Sequence, residues 1–170
     1  MPTAAKGPEM LVSAELGNLS VDELLALSRR ILKELKRRGI IRSGNAPAGD
    51  YAELPVQRAT GGELAPNSQK SWDVKTPEGE RLQVKARVVT NPKVRAERQL
   101  SAFRSWDFDA ALVILFDDDF RVWRATRLPV QLIEQQSTFV EHVRGFRVMV
   151  TDALLDQGQD WTKRIRAVTA

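Results

Sequence analysis

The chain has no cysteine and a single histidine, His142. That removes thiol nucleophiles, cysteine-based zinc sites and any site that needs two imidazoles. Chemistry must come from carboxylates, amides, hydroxyls, Lys and Arg, and the grouping that gathers them best is Asp73 followed by Gln83-Val84-Lys85. Across residues 81–88, Leu82, Val84, Ala86 and Val88 alternate with Arg81, Gln83, Lys85 and Arg87. This is the period of two of a half-buried strand, so Gln83 and Lys85 share a face. Thr76-Pro77-Glu78-Gly79-Glu80 has turn chemistry, Pro fixing φ and Gly permitting positive φ. Folding back at that turn makes residues 71–89 a hairpin and brings Asp73 beside Gln83 and Lys85. A carboxylate and an amide oxygen can hold a hard divalent cation. An ammonium beside them can neutralise charge that develops on an anionic substrate.

The surrounding sequence must position that hairpin. Residues 1–18 mix Pro, Ala, Gly and Lys and read as a mobile lead. Ser20-Val21-Asp22-Glu23 is a capping-box signature that opens a helix to about residue 38, with Val21, Leu24, Leu25, Leu27, Ile31, Leu32 and Leu35 on one broad face and Gly39 as the stop. Residues 42–47 have linker composition. A second helix carrying Glu53 is expected from about residue 49, with Pro55 forcing it either to start near Leu54 or to kink there. After the hairpin, a short helix is expected around 98–104.

Residues 110–116, A-A-L-V-I-L-F, form a continuous apolar run bounded by acids and read as a buried central strand. Asp117-Asp118-Asp119 reads as a solvated turn rather than a metal site. A returning strand follows at 120–125, then a helix from Pro129 to about 136, a polar link, and a strand at 145–150. Asp152 is expected to cap a short final helix. His142 and the four tryptophans are assigned structural or surface roles.

Composition narrows the partners. At 170 residues and 42% hydrophobic, the chain suits one domain of ordinary size plus an N-terminal arm. No run approaches the ~20 apolar residues needed to cross a bilayer, and the N-terminus lacks a signal-peptide layout, so no membrane partner and a cytoplasmic location are expected. Charge is uneven: residues 81–104 hold seven basic residues against the single acid Glu97. A local positive field suits a phosphodiester partner, because neutralising phosphates releases counterions.

The order of a helix with Glu53, a strand with Asp73, a strand with Gln83-x-Lys85 and further α and β elements resembles the PD-(D/E)xK nuclease superfamily over about residues 49–125. The Gln-x-Lys form is similar to the variant found among Mrr-type restriction endonucleases and some transposon-end nucleases. Trp72 stands where the family name has Pro. The resemblance implies an α/β fold, a restriction-endonuclease-like central mixed β-sheet flanked by helices. An extra N-terminal amphipathic helix, residues 19–42, would precede a nuclease domain at 48–170.

By that likeness Asp73 is the metal-binding aspartate, Gln83 takes the second acidic position, Lys85 is the catalytic lysine and Glu53 is the helix-borne carboxylate. Mg²⁺, with Mn²⁺ able to substitute, would be held by Asp73, Glu53, Gln83 and the Val84 backbone carbonyl. The implied activity is a metal-dependent DNA endonuclease in restriction, defence or DNA processing, with Arg87, Lys93, Arg95, Arg98 and Arg104 contacting DNA. The alternative is a catalytically inactive nuclease-fold domain that binds nucleic acid or mediates assembly. A homodimer through the helix at 20–38 and a separate specificity partner stay open.

Overall fold

The computed structural model describes residues 15–66, 69 and 71–169. The expected lead therefore lies outside the described residues up to position 14. The chain divides into two compact units, residues 1–45 and 46–170.

In the first unit, helix α1 (Val21–Arg37) starts as its sequence requires. The Ser20 hydroxyl accepts from the Glu23 amide at 3.3 Å, and the Glu23 carboxylate accepts from the Ser20 amide at 2.8 Å. Two of the four amides that every helix start leaves unpaired are thereby satisfied. Lys36 and Arg37 sit in the last turn, the sign that the helix dipole favours, and Gly39 turns the chain out at φ 71°. Val21, Leu25 and Ile31 on the apolar stripe are exposed.

The second unit opens with helix α2 (Pro47–Thr60), whose first-turn proline contributes no amide where none is needed. The helix thus begins earlier than residue 49. It also runs through Pro55, whose ring is buried, giving up one internal hydrogen bond rather than breaking. Gly61 ends it in the left-handed region at φ 66°. Strands β1 (Glu63–Leu64), β2 (Val74–Lys75) and β3 (Arg81–Val88) follow, then β4 (Ala110–Phe116) and β5 (Val122–Pro129). Helix α3 (Val130–Gln135) leads into a two-stranded ribbon, β6 (Ser137–Val140) and β7 (Gly145–Val148). Helix α4 (Asp152–Leu155), strand β8 (Gln159–Asp160) and helix α5 (Thr162–Thr169) close the unit.

Six strands form one mixed sheet in the order β1-β2-β3-β4-β5-β8, in which only β3 and β4 run parallel. The architecture is a mixed α/β sheet flanked by helices. All seven residues of β4 are buried, as its unbroken apolar run predicts.

Register sorts the two faces. Leu82, Val84, Ala86 and Val88 pair with Ala110, Leu112, Ile114 and Phe116, and these residues pack with Ala52 and Val56 of α2 and Ile165 of α5. Gln83, Lys85 and Arg87 pair with Ala111, Val113 and Leu115, on the face covered by Phe103, Phe108, Ile133 and Val148. Each fully buried Leu or Ile in these layers contributes about 1.5–3 kcal/mol relative to exposure.

A parallel pair needs a crossover, and residues 89–109 supply it across the second face. The helix expected at 98–104 does not form. A 3₁₀ turn at Arg95–Arg98 is followed by extended chain, with Gln99 bridged to Met149 and Phe103 to Phe146. The extended form lets Leu100 and Phe103 both reach the core while borrowing hydrogen bonds from the ribbon edge. The N-cap of α4 is Thr151, whose hydroxyl accepts from the Leu154 amide at 3.1 Å; Asp152 pairs elsewhere. Asp117 organises the acidic turn, its carboxylate accepting from the amides of Asp119 and Arg121 at 3.0 and 2.9 Å.

Candidate active site

Strand β2 accompanies β3 for only two residue pairs, Lys75 with Arg81 and Val74 with Leu82. Beyond that point the backbone of Asp73 is pinned from both sides: its amide donates to the Leu82 carbonyl at 2.8 Å, and its carbonyl accepts from the Ala65 amide at 2.8 Å. The chain then leaves β3, and the next edge amide of that strand belongs to Val84. The Asp73 side chain takes the place of the missing strand partner. Its Oδ2 accepts from the Val84 amide at 2.6 Å and from Gln83 Nε2 at 2.5 Å. Because the Gln83 amino group is committed to the carboxylate, its Oε1 is the atom of that side chain able to accept or to coordinate.

Lys85 lies two residues further along the same face. Its Nζ donates to the Ala102 carbonyl at 3.1 Å and to Ser101 Oγ at 3.3 Å, and sits 4.7 Å from the centre of the Phe103 ring. The extended crossover therefore carries the groove wall that holds the ammonium. Burial pushes the Lys85 pKa down, opposed by the negative charge of Asp73 and reinforced by the positive charge of Arg104.

Of the expected site residues, Asp73 and Gln83 are in direct contact and Val84 joins through its amide, while Lys85 is held by the crossover and feels the charge of Asp73. Glu53 sits half-buried on α2, the helix that covers the opposite face of β3 and also touches β1 and β2. Among the described residues no group of three or more His, Cys, Asp or Glu side chains is arranged to hold a metal ion.

The basic residues divide. Lys93 and Arg95 are exposed in the crossover, and Arg87 and Arg104 line a cavity of about 330 Å³. Arg98 departs from the expectation of a surface contact. It is 9% exposed, its guanidinium donates to Asp152 at 2.6 Å, and it lies over the Trp123 ring at 5.6 Å. It braces the crossover against α4. Sequence reasoning missed Ser101, Ala102 and Phe103, which hold Lys85. Their residue types carry no chemical signature, and an extended crossover there has no local pattern to betray it.

A larger cavity of about 620 Å³, lined by Tyr51, Asp117, Phe120 and Arg166 among others, contains none of the hairpin residues. No helix among the described residues is long and apolar enough to cross a membrane.

No protein-family model matches the chain, and no curated protein does. Among solved structures, a bacterial homing endonuclease superposes with a TM-score of 0.43 at 18% identity, covering 72% of this chain and 92% of that one.

Proposed function

We propose that this chain is a metal-dependent nuclease that hydrolyses phosphodiester bonds in DNA, using the edge of β3 as its active site. The observation that carries the reading is the Asp73 carboxylate held by the Gln83 amide and the Val84 N–H where β2 leaves β3, with the Lys85 ammonium two residues along the same face and within electrostatic reach of Asp73. A carboxylate and an amide oxygen are hard donors of the kind Mg²⁺ takes, and that ion typically uses only one or two carboxylates and fills its shell with water and substrate phosphate. The donor set therefore fits Mg²⁺, with Mn²⁺ as a substitute. Asp73 would hold the ion, with Gln83 Oε1, the Val84 carbonyl and Glu53 of α2 as the further candidates. When bound, the ion would activate water and neutralise charge on the phosphate.

The side chains do the remaining work. Gln83 and the Val84 amide fix the orientation of the Asp73 carboxylate, so it need not reorganise when a ligand arrives. Lys85 is held by the Ser101 hydroxyl and Ala102 carbonyl in a partly desolvated position, where its charge acts on a neighbouring phosphate more strongly than it would in water. The replacement of a second strand carboxylate by Gln83 favours one other reading, a domain of this fold that binds nucleic acid without cutting it.

Incubating the purified chain with supercoiled plasmid separates the two. The proposal expects nicked or linear product with Mg²⁺ or Mn²⁺ and none after chelation. Salt-sensitive DNA binding with no product across divalent ions would favour the second reading.

A further inference from the structure

We infer that the cavity bounded by Arg87, Arg104 and Arg147 seats a backbone phosphate of the DNA strand, next to the phosphate addressed by Asp73 and Lys85. The inference rests on the nuclease reading and adds a second anchoring point to it. The three arginines come from different parts of the unit: β3, the crossover and β7. All three line one cavity of about 330 Å³ that has no carboxylate among its described lining residues. None of the three takes part in an ion pair among the described residues. Arg104 donates to the Arg144 carbonyl at 3.1 Å, Arg87 donates to the Glu97 carbonyl at 3.5 Å, and the Glu97 carboxylate accepts from the Asn91 amide.

Three converging cations with no anion among them repel one another, and an incoming anion relieves that repulsion. Guanidinium suits phosphate in particular, since its planar fork presents paired donors.

The cavity also shares a wall with the proposed active site. Ser101 and Ala102 line it, and the same residues hold Lys85 Nζ, while the charge of Arg104 reaches Lys85 itself. A strand with one phosphate at Lys85 thus meets the arginines with a neighbouring phosphate. Contacts of this kind position the backbone and carry no sequence information.

Arg147→Gln and Arg147→Lys in the full chain test the inference, with Ca²⁺ replacing Mg²⁺ and a duplex DNA titrated at several NaCl concentrations. Losing one phosphate contact should weaken binding several-fold, equally for unrelated sequences. It should also reduce the magnitude of the slope of log K against log salt by about 0.9. The lysine variant should keep most of that slope, and Arg87→Gln should repeat the loss.

A wild-type slope retained in Arg147→Gln and Arg87→Gln overturns the cavity inference and leaves the nuclease reading intact. A reduced slope in the two variants, with a wild-type protein that cuts nothing under Mg²⁺, supports the cavity while removing the nuclease. Failure of the wild type to bind DNA at all overturns both.

Discussion

The Asp73 carboxylate and the Gln83 side chain are joined at 2.5 Å, with the Val84 amide completing the contact at 2.6 Å on the same oxygen. The amide nitrogen of Gln83 is therefore a structural donor, and a carboxylate could not fill that role. Gln83→Glu would place two carboxylates in contact, and like charges at that distance cannot both ionise cheaply. The variant should lose about 1–3 kcal/mol of stability in metal-free buffer near neutral pH. Millimolar Mn²⁺ should return most of it, because a cation relieves the repulsion. Thermal unfolding with and without Mn²⁺ checks this; an unchanged melting temperature in chelator would contradict the shared contact.

Lys85 offers a pH test. Its pKa is pushed below the ordinary 10.5 chiefly by burial. Between that lowered value and 10.5 the unfolded chain binds a proton that the folded chain does not, so stability contributed at this position rises with pH through the window. Lys85→Met should compare best with the wild type near neutral pH and lose ground as pH approaches 10.5. Urea unfolding at pH 7, 9 and 10.5 reads the difference, and a difference independent of pH would count against a desolvated ammonium.

Gly145 links the ribbon to the segment that holds Lys85. A methyl group at that position would stand 2.8 Å from the Phe103 carbonyl oxygen and 3.1 Å from the Ala102 side chain. Gly145→Ala should therefore push β7 and the crossover apart, costing about 1–3 kcal/mol. DNA cleavage should fall further than the loss of folded protein explains, since Ala102 is a ligand of Lys85. Activity per folded molecule equal to wild type would show that the crossover tolerates the shift.

How much of this could be read from sequence depends on the range of the forces involved. The capping box at Ser20, the alternation through 81–88, the turn at Thr76 and the apolar strand at 110–116 are local patterns, and each appears where the pattern places it. The pairing of Asp73 with Gln83 followed from turn and register together. The conformation of 98–104 did not follow, because its hydrogen bonds are made to Phe146 and Val148, more than forty residues away. Arg98 was misplaced for the same reason. Its partners Asp152 and Trp123 are distant in sequence, and their contacts offset part of the cost of burying a guanidinium. The two residues of α2 before residue 49 hid behind Pro47, which reads as linker unless the helix start is already known.

The Arg98–Asp152 pair makes a separate prediction. Arg98 holds the Asp152 carboxyl below its ordinary range. A depressed acid stabilises above its unfolded pKa, and the contribution is lost as pH falls through the folded value. Asp152→Asn should lower stability at pH 7 by about 1 kcal/mol, since solvent screens an exposed acid. The gap from wild type should close in strong acid, below the ordinary carboxylate range. DNA-binding salt dependence should stay unchanged, because the buried Arg98 touches no phosphate; a reduced slope would return Arg98 to the binding surface.

The most direct test of the central claim is the cleavage rate of plasmid DNA under Mg²⁺ by the wild type, Asp73→Ala and Lys85→Ala, with folding of each verified by circular dichroism. The hairpin account predicts measurable cleavage by the wild type and a loss of at least about a hundredfold in each variant, the scale on which removal of a preorganised charge-stabilising group acts. Cleavage persisting at the wild-type rate in both folded variants would contradict it.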